Sequence, residues 1–169
     1  MAAISADVVL QFQDLSLGYD SVPAVHRFSG TMRRGTMTAV VGPNGSGKTT
    51  LMKGIVGALK PLTGTITVTG TARKQIAYLP QQVDIDRSFP ISVFDLVSLG
   101  LWRTIGAFSA LGRGEKKIVE AALAAVGLAG FEGRSIGALS GGQLQRVLFA
   151  RVLVQDSALI LLDEPFSAI

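Results

Sequence analysis

The sequence predicts an α/β fold, and three observations lead to this prediction. Strand-like segments rich in β-branched residues dominate the chain up to about residue 82. Amphipathic helical patterns follow, up to about residue 138. A glycine-rich loop near residue 42 connects an apolar strand-like run to a helix start, and a second apolar run near residue 160 ends in two carboxylates. Strands therefore lie on both sides of a helical region in one chain.

The composition indicates a folded globular protein. The 169 residues suffice for one domain with a real core, and the hydrophobic content of 48% excludes general disorder. No apolar stretch approaches the roughly 18 residues of a membrane-spanning helix, and we expect no signal peptide. The absence of cysteine excludes disulfides and thiolate metal sites and fits a reducing compartment. The net charge of +4 is mild and favours acidic ligands or an anionic membrane surface. The lysines and arginines are scattered along the chain, so we expect no nucleic-acid partner.

Several strands are predicted in the first part of the chain. Residues 8–12 and 64–69 alternate or carry β-branched side chains, and Gly70 marks a turn after the second. Residues 38–41 and 76–80 are short apolar runs that predict buried strands. The run at residues 38–41 is important because the glycine-rich loop follows it directly.

That loop carries a complete phosphate-binding pattern, G-x-x-x-x-G-K-[ST], between a predicted strand and a helix start. A helix N-terminus offers amide groups and a positive dipole end to phosphates, and the glycines allow the backbone to turn those amides inward. The lysine supplies a charge for the β and γ phosphates, and the next threonine supplies a hydroxyl for Mg²⁺, which prefers oxygen ligands. The alternative is a glycine-rich turn with an incidental lysine. The predicted nucleotide-binding residues are Gly42, Pro43, Asn44, Gly45, Ser46, Gly47, Lys48, Thr49 and Thr50, with Thr49 also a Mg²⁺ ligand.

Residues 83–138 predict helices. Ser92 is followed three residues later by an aspartate, a start signal that resembles a capping box. Residues 115–126 predict a second helix, which ends before a glycine. Between these helices, residues 99–111 are unusually apolar and contain the only tryptophan, Trp102. Core packing is the favoured interpretation of this segment, and a partner-binding surface is the alternative.

Two further motifs lie in residues 139–169. The sequence Leu-Ser-Gly-Gly-Gln at residues 139–143 places a serine N-cap and two glycines before an amphipathic helix, which predicts a second anion-binding terminus, although Ser-Gly-Gly is also common in linkers. The apolar run at residues 158–162 predicts a buried strand that ends in Asp163 and Glu164. Residues just past a parallel strand face the ligand crevice, so Asp163 is placed to hold Mg²⁺ and Glu164 to orient or deprotonate a water. Taken alone, the acidic pair is equally compatible with a strand-terminating turn.

The order of these motifs resembles the ATP-binding cassette family. A phosphate loop, a glutamine after a strand, LSGGQ and LILLDEP follow one another, and LSGGQ is specific to this family among phosphate-loop NTPases. The resemblance covers nearly the whole chain. It implies a phosphate-loop NTPase core, with a mixed or parallel sheet and an antiparallel β subdomain, plus an inserted helical subdomain. Residues 1–82 would form the first part of the core, and residues 83–138 the helical subdomain. Residues 139–169 would form the signature helix and the acidic strand.

The same resemblance implies roles for individual residues. Tyr19 is similar to the aromatic that stacks on adenine, with an ordinary strand-end tyrosine as the alternative. Gln81 matches the glutamine that contacts Mg²⁺ and the attacking water, and the adjacent glutamine leaves a one-residue alternative. Glu164 matches the catalytic base and acts with Gln81 and Lys48, while Asp163 joins Thr49 and Gln81 around Mg²⁺. Four signature residues are implied to contact the ATP of a second cassette: Ser140, Gly141, Gly142 and Gln143.

The implied function is that of an ATP-binding and ATP-hydrolysing subunit that powers a membrane transporter, with ATP and Mg²⁺ as cofactors. The implied partners are a second cassette in a head-to-tail homodimer, a transmembrane permease subunit and a substrate-binding protein, at the cytoplasmic face of the inner or plasma membrane. Residues 80–93 look most like those of bacterial zinc or manganese importers, and haem or iron–siderophore importers are the nearest alternative. The motifs are also compatible with a soluble non-transport cassette ATPase or a non-catalytic binding module, although the chain shows neither an internal repeat nor sustained heptads.

The chain departs from the family pattern at residue 169. Family members continue with an aspartate that contacts the opposite subunit and, further on, with a strand ending in a histidine for the γ-phosphate. The single histidine here, His26, precedes the phosphate loop. We therefore expect that the 169-residue chain is an incomplete cassette that binds ATP but hydrolyses it poorly.

Overall fold

The computed structural model describes residues 7–81, 85–106 and 111–164. They belong to two compact units, Met1–Ile76 and Ala77–Ile169, here called the N-terminal and C-terminal units. Short 3₁₀ turns lie at Arg73–Gln75, Leu99–Leu101 and Ile136–Ala138. The strands and helices are β1 (Val8–Tyr19), β2 (Val22–Arg33), α1 (Lys48–Val56), β3 (Thr63–Val68), β4 (Ala77–Leu79), α2 (Val93–Ser98), α3 (Trp102–Ile105), α4 (Arg113–Ala125), α5 (Gly141–Leu153) and β5 (Ile160–Leu162).

The N-terminal unit contains an antiparallel sheet in the order β2-β1-β3. Phe12 and Leu15 of the central strand are both buried, although a spacing of three residues places side chains on opposite faces of a regular strand. A bulge at Asp14, whose φ is +43°, resolves this conflict. Between the two apolar residues β1 advances three positions while β2 advances two, from Gly30 to Phe28. The bulge thereby keeps one continuous apolar surface along β1.

Helix α1 packs on this sheet through Gly54. A Cβ at this position would lie 2.5 Å from Cδ1 of Leu17 and 3.2 Å from Cδ1 of Ile66, so only glycine allows the observed approach. The next residue, Ile55, is fully buried. The helix ends at Gly57, which adopts the left-handed conformation that favours glycine (φ +84°). This packing fixes the start of α1, where the phosphate loop ends.

The predicted strand at residues 38–41 is wrong. These residues have no regular secondary structure and are largely exposed, with Val41 at 87% exposure. Neither of the sheets formed by the described residues includes them. A strand is stable only when a neighbour pairs with its backbone N–H and C=O groups, and without that pairing an apolar run does not make a strand. The segment is an irregular connection between β2 and the phosphate loop.

The C-terminal unit combines a parallel β4–β5 pair with helices. Val97 of α2, Val119 and Leu123 of α4 and Val147 of α5 are fully buried in one apolar core. This core also takes in part of the apolar segment at residues 99–111, because Leu101 is buried. Trp102 is 49% exposed, and residues 107–110 lie outside the described ranges. Core packing therefore accounts for only part of that segment.

The predicted helix starts in this unit are confirmed. The Ser92 side chain accepts a hydrogen bond from the Asp95 amide at 3.0 Å and caps α2. Helix α4 begins at Arg113, two residues before the predicted start, because the chain turns into the helix at Gly112. Its predicted terminating glycine, Gly127, is left-handed (φ +71°).

The implied division of the chain into parts at residues 82 and 138 remains a prediction. Gln82, the alternative to Gln81, lies outside the described ranges. Among the helices of the described residues, none has the length and apolar character that crossing a membrane requires.

Candidate nucleotide-binding site

The phosphate loop is a tight turn that depends on its glycines. Gly45 and Gly47 have φ values of +82° and +89°, in the left-handed region that other residues rarely adopt. Gly47 is also the N-cap of α1, and a Cβ there would lie 2.7 Å from the carbonyl oxygen of Ala24 in β2. A Cβ at Gly42 would lie 2.6 Å from the Ser46 hydroxyl oxygen. The loop thus has no space for a side chain at Gly42 or Gly47, whereas Gly45 lies in open space and is favoured by its left-handed backbone.

Lys48, the first residue of α1, turns back over this loop. Its ammonium Nζ donates hydrogen bonds to the carbonyl oxygens of Gly42 at 2.9 Å and Pro43 at 3.0 Å. Thr49 is partly buried in the first helical turn, and Thr50 beside it is buried. A positive side chain, the amides of a helix N-terminus and a threonine hydroxyl therefore occur within one short segment. This combination suits an anionic ligand and an associated hard cation.

The carboxyl ends of β4 and β5 bring four polar side chains together in the C-terminal unit. Because the two strands are parallel with Leu79 opposite Leu162, the residues that follow them meet at one end. Gln81 Nε2 donates a hydrogen bond to Glu164 Oε2 at 2.6 Å. The Tyr78 hydroxyl donates to Asp163 Oδ2 at 3.4 Å. The contact of Gln81 with the acidic pair is a direct result of this register.

Asp163 is the buried member of the acidic pair. Its side chain is 2% exposed, and its backbone amide donates to the Leu79 carbonyl at 2.9 Å. Glu164 is partly exposed and has a left-handed backbone (φ +49°), so the two carboxylates have different surroundings. Mg²⁺ is commonly held by one or two protein oxygens together with phosphate and water. A buried carboxylate such as Asp163 and a hydroxyl such as Thr49 are donors of that kind.

The signature segment forms a capped start of α5. Ser140 Oγ accepts a hydrogen bond from the Gln143 amide at 3.2 Å, and Gln143 Oε1 accepts one from the Ser140 amide at 2.9 Å. These reciprocal bonds make a capping box, and they confirm the predicted serine N-cap. No described atom lies within 4 Å of a Cβ built at Gly141, and Gly142 is partly buried. A side chain at Gly141 would therefore meet open space beside the first turn of α5.

Tyr19 lies at the end of β1, and its side chain is 49% exposed. Its hydroxyl accepts a hydrogen bond from Lys53 Nζ at 3.3 Å, and the same ammonium lies 5.7 Å from the centroid of the ring. The sequence prediction missed Lys53. The two residues are 34 positions apart on different elements, so no local pattern connects them.

Asp86 lies in the loop that precedes α2, and its pKa is held below its ordinary value of 3.8. The main cause is the Ser88 hydroxyl, which donates to Asp86 Oδ1 at 2.6 Å, and the Ser88 amide adds a second bond at 2.9 Å. Both bonds favour the ionised carboxylate.

Comparison with known families decides which family the chain belongs to. The family described as ABC transporter matches residues 25–167, which include the phosphate loop, Gln81, the signature segment and the acidic pair. The chain belongs to the ABC transporter family.

The chain is also similar to individual proteins of ABC transporters. The manganese transport system ATP-binding protein of Listeria monocytogenes is 42% identical over 95% of this chain and 68% of its own length. The zinc transport system ATP-binding protein of Treponema pallidum is 40% identical over 100% of this chain and 65% of its own length. The structure of cbiO1 from Clostridium perfringens, part of an ABC transporter complex, has a TM-score of 0.78 and 29% identity over 96% of this chain and 68% of its own. The chain thus spans about two thirds of the length of these relatives.

ABC transporter membership and these structural neighbours confirm the predicted fold. It is an α/β phosphate-loop NTPase fold with an antiparallel sheet, a parallel strand pair and a helical region. The chain is an ABC-type ATP-binding domain, and ATPase activity is the activity of its family.

Proposed function

We propose that the chain is the ATP-binding and ATP-hydrolysing part of an importer for manganese or zinc. The observation that carries this proposal is an identity of 40–44% with ATP-binding proteins named for manganese or zinc transport, over nearly the whole chain. An ATP-binding domain does not contact the transported ion, so this part of the proposal rests on the relatives. The nucleotide chemistry rests on the chain's own residues.

Nucleotide binding begins at the phosphate loop. In the proposed mechanism Lys48 exchanges its bonds to the Gly42 and Pro43 carbonyls for bonds to the β and γ phosphate oxygens. The loop amides and the N-terminus of α1 hold the same phosphates, and the Thr49 hydroxyl serves as an oxygen ligand of Mg²⁺. Mg²⁺ held by these residues would supply positive charge against the charge that develops on the phosphates, and the chain's own residues would act mainly by positioning and electrostatics.

Hydrolysis uses the residues at the carboxyl ends of β4 and β5. Glu164 is the proposed base that takes the proton of the attacking water, Gln81 contacts that water and Mg²⁺, and Asp163 holds Mg²⁺ directly or through water. In the observed arrangement Glu164 accepts the 2.6 Å hydrogen bond from Gln81.

The proposed complex contains two such cassettes arranged head to tail. Ser140, Gly141, Gly142 and Gln143 would contact the nucleotide of the second cassette, and the open space in front of Gly141 supports this role. Closure of the cassettes around two Mg-ATP would drive a transmembrane permease, which receives the metal from a substrate-binding protein. The chain would then be a peripheral protein at the cytoplasmic face of the membrane.

We also propose that the 169-residue chain binds ATP but turns it over slowly. The chain spans 65–68% of the length of the manganese- and zinc-transport relatives that it matches, and this partial coverage supports the proposal. Rapid ATP hydrolysis by this chain that Glu164→Gln abolishes would refute the proposal.

Growth of a deletion strain under metal limitation tests the transport function. Loss of the gene should impair growth and uptake under manganese or zinc limitation, and the normal gene should restore both while a Lys48→Ala copy should not. A defect confined to iron limitation would instead favour a haem or siderophore importer. Co-purification with ribosomal RNA and not with membranes would favour a soluble cassette ATPase.

A further inference from the structure

The backbone of Tyr19 is held in place by a tight hairpin. Tyr19 pairs with Val22, so Asp20 and Ser21 form the two-residue turn between β1 and β2. Both turn residues are left-handed, with φ of +49° and +66°, as a type I′ hairpin turn requires. A Cβ at Gly18 would overlap the Val22 carbonyl, so the strand can close in this way only with glycine there. The hairpin fixes the Tyr19 backbone, but it does not fix a side chain that is 49% exposed.

Lys53 supplies the contact that the exposed ring requires. Its ammonium donates to the Tyr19 hydroxyl at 3.3 Å and lies 5.7 Å from the ring centroid, on the hydroxyl side of the ring, so the hydrogen bond is the contact that orients the ring. The backbone of α1 beside Lys53 is itself held, because the adjacent Gly54 packs against Leu17 of the same strand that carries Tyr19. The ring therefore has one defined cationic neighbour, which comes from α1.

Helix α1 consequently carries two lysines with separate contacts. Lys48 begins the helix and binds the phosphate loop, and Lys53 follows about 7.5 Å further along the axis, at 1.5 Å per residue. If the tyrosine ring receives the adenine base, one helix holds both the phosphate-binding and the base-binding groups.

We propose that Lys53 is a positioning residue that orients the Tyr19 ring for adenine binding. This inference rests on the proposed ATP-binding function and on the role of Tyr19 in it. Lys53 acts through the tyrosine and contacts no phosphate. Its loss should therefore weaken ligands that contain adenine and spare ligands that consist of phosphate alone.

The test compares Mg-ATP with Mg-tripolyphosphate in calorimetric titrations of the 169-residue chain. Lys53→Met should weaken Mg-ATP about fivefold and leave Mg-tripolyphosphate unchanged. Lys53→Arg, which keeps a cation and donors, should restore most of the loss. Lys60→Met is the matched control, because it removes the same charge from an exposed lysine just after α1 and should change neither ligand. In a Tyr19→Leu background, Lys53→Met should have no further effect on Mg-ATP.

The outcomes separate this inference from the function on which it rests. Equal weakening of both ligands by Lys53→Met would mean that Lys53 attracts phosphate, and it would overturn the positioning role alone. An undiminished effect of Lys53→Met in the Tyr19→Leu background would also overturn it, because the lysine would then act without the tyrosine. Absence of Mg-ATP binding by the parent chain would overturn the proposed function itself, and this inference with it.

Discussion

The capping box of the signature helix provides a prediction with a defined magnitude. Ser140→Ala removes the hydroxyl that accepts the 3.2 Å bond from the Gln143 amide, and it leaves an amide of the first turn without that acceptor. Loss of a serine N-cap typically costs about 1 kcal/mol, within a range of roughly 0.5–2 kcal/mol. Ser140→Asp keeps an acceptor at the cap and adds a negative charge where the helix dipole favours one.

Urea unfolding followed by circular dichroism measures this effect. With a slope of about 2 kcal/mol per M, a loss of about 1 kcal/mol lowers the midpoint of unfolding by roughly 0.5 M. Ser140→Asp should keep the parent midpoint. The same variant should nevertheless impair ATP-dependent association of two cassettes, because its carboxylate would repel the phosphates that Ser140 is proposed to contact. An unchanged midpoint for Ser140→Ala, with an unchanged slope, would refute the observed cap. Normal association of Ser140→Asp would refute the proposed contact.

Three further predictions concern stability and pH. Gly100→Ala should lower the free energy of unfolding by roughly 1–3 kcal/mol, because its Cβ would lie 2.5 Å from a carbonyl oxygen near the end of α5. Gly114→Ala, in open space on α4, should instead raise it by up to about 1 kcal/mol. Equal urea midpoints for the two variants would contradict this. Ser21→Gly should raise the free energy of unfolding by about 0.5–1 kcal/mol, and the urea midpoint with it, because glycine adopts the left-handed turn without strain; a lower midpoint would count against the turn. Ser88→Ala should raise the pKa of Asp86 towards 3.8 in an NMR titration. Because the folded pKa is lowered, the stability that Asp86 contributes is complete above pH 3.8 and is lost as the pH falls through the folded value, and the substitution should reduce that acid loss.

Features that depend on neighbouring residues could be predicted from the sequence. The Ser-Gly-Gly-Gln start of α5 is an example, since a capping box needs only two residues three positions apart. The same holds for Ser92 and for two glycines of the phosphate loop, Gly45 and Gly47, whose positive φ values follow from the local turn. Local side-chain chemistry determines these features, and the structure reproduces them.

Features that depend on distant residues were harder to predict. The apolar run at residues 38–41 has the composition of a strand, but pairing with another strand decides whether it becomes one. The contact between Gln81 and Glu164 joins residues 83 positions apart and follows from the parallel register of two short strands. Lys53 and Tyr19 meet because α1 packs on β1, which no spacing in the sequence reveals.

Binding of Mg-ATP to the 169-residue chain, measured by calorimetry beside Lys48→Ala, tests the central claim most directly. The substitution removes the ammonium that now bonds to the Gly42 and Pro43 carbonyls and that is proposed to bind the phosphates. We predict one site per chain in the parent protein and a loss of affinity of at least about tenfold in the variant. No binding by the parent, or equal binding by both proteins, would contradict the assignment of this loop as the nucleotide site.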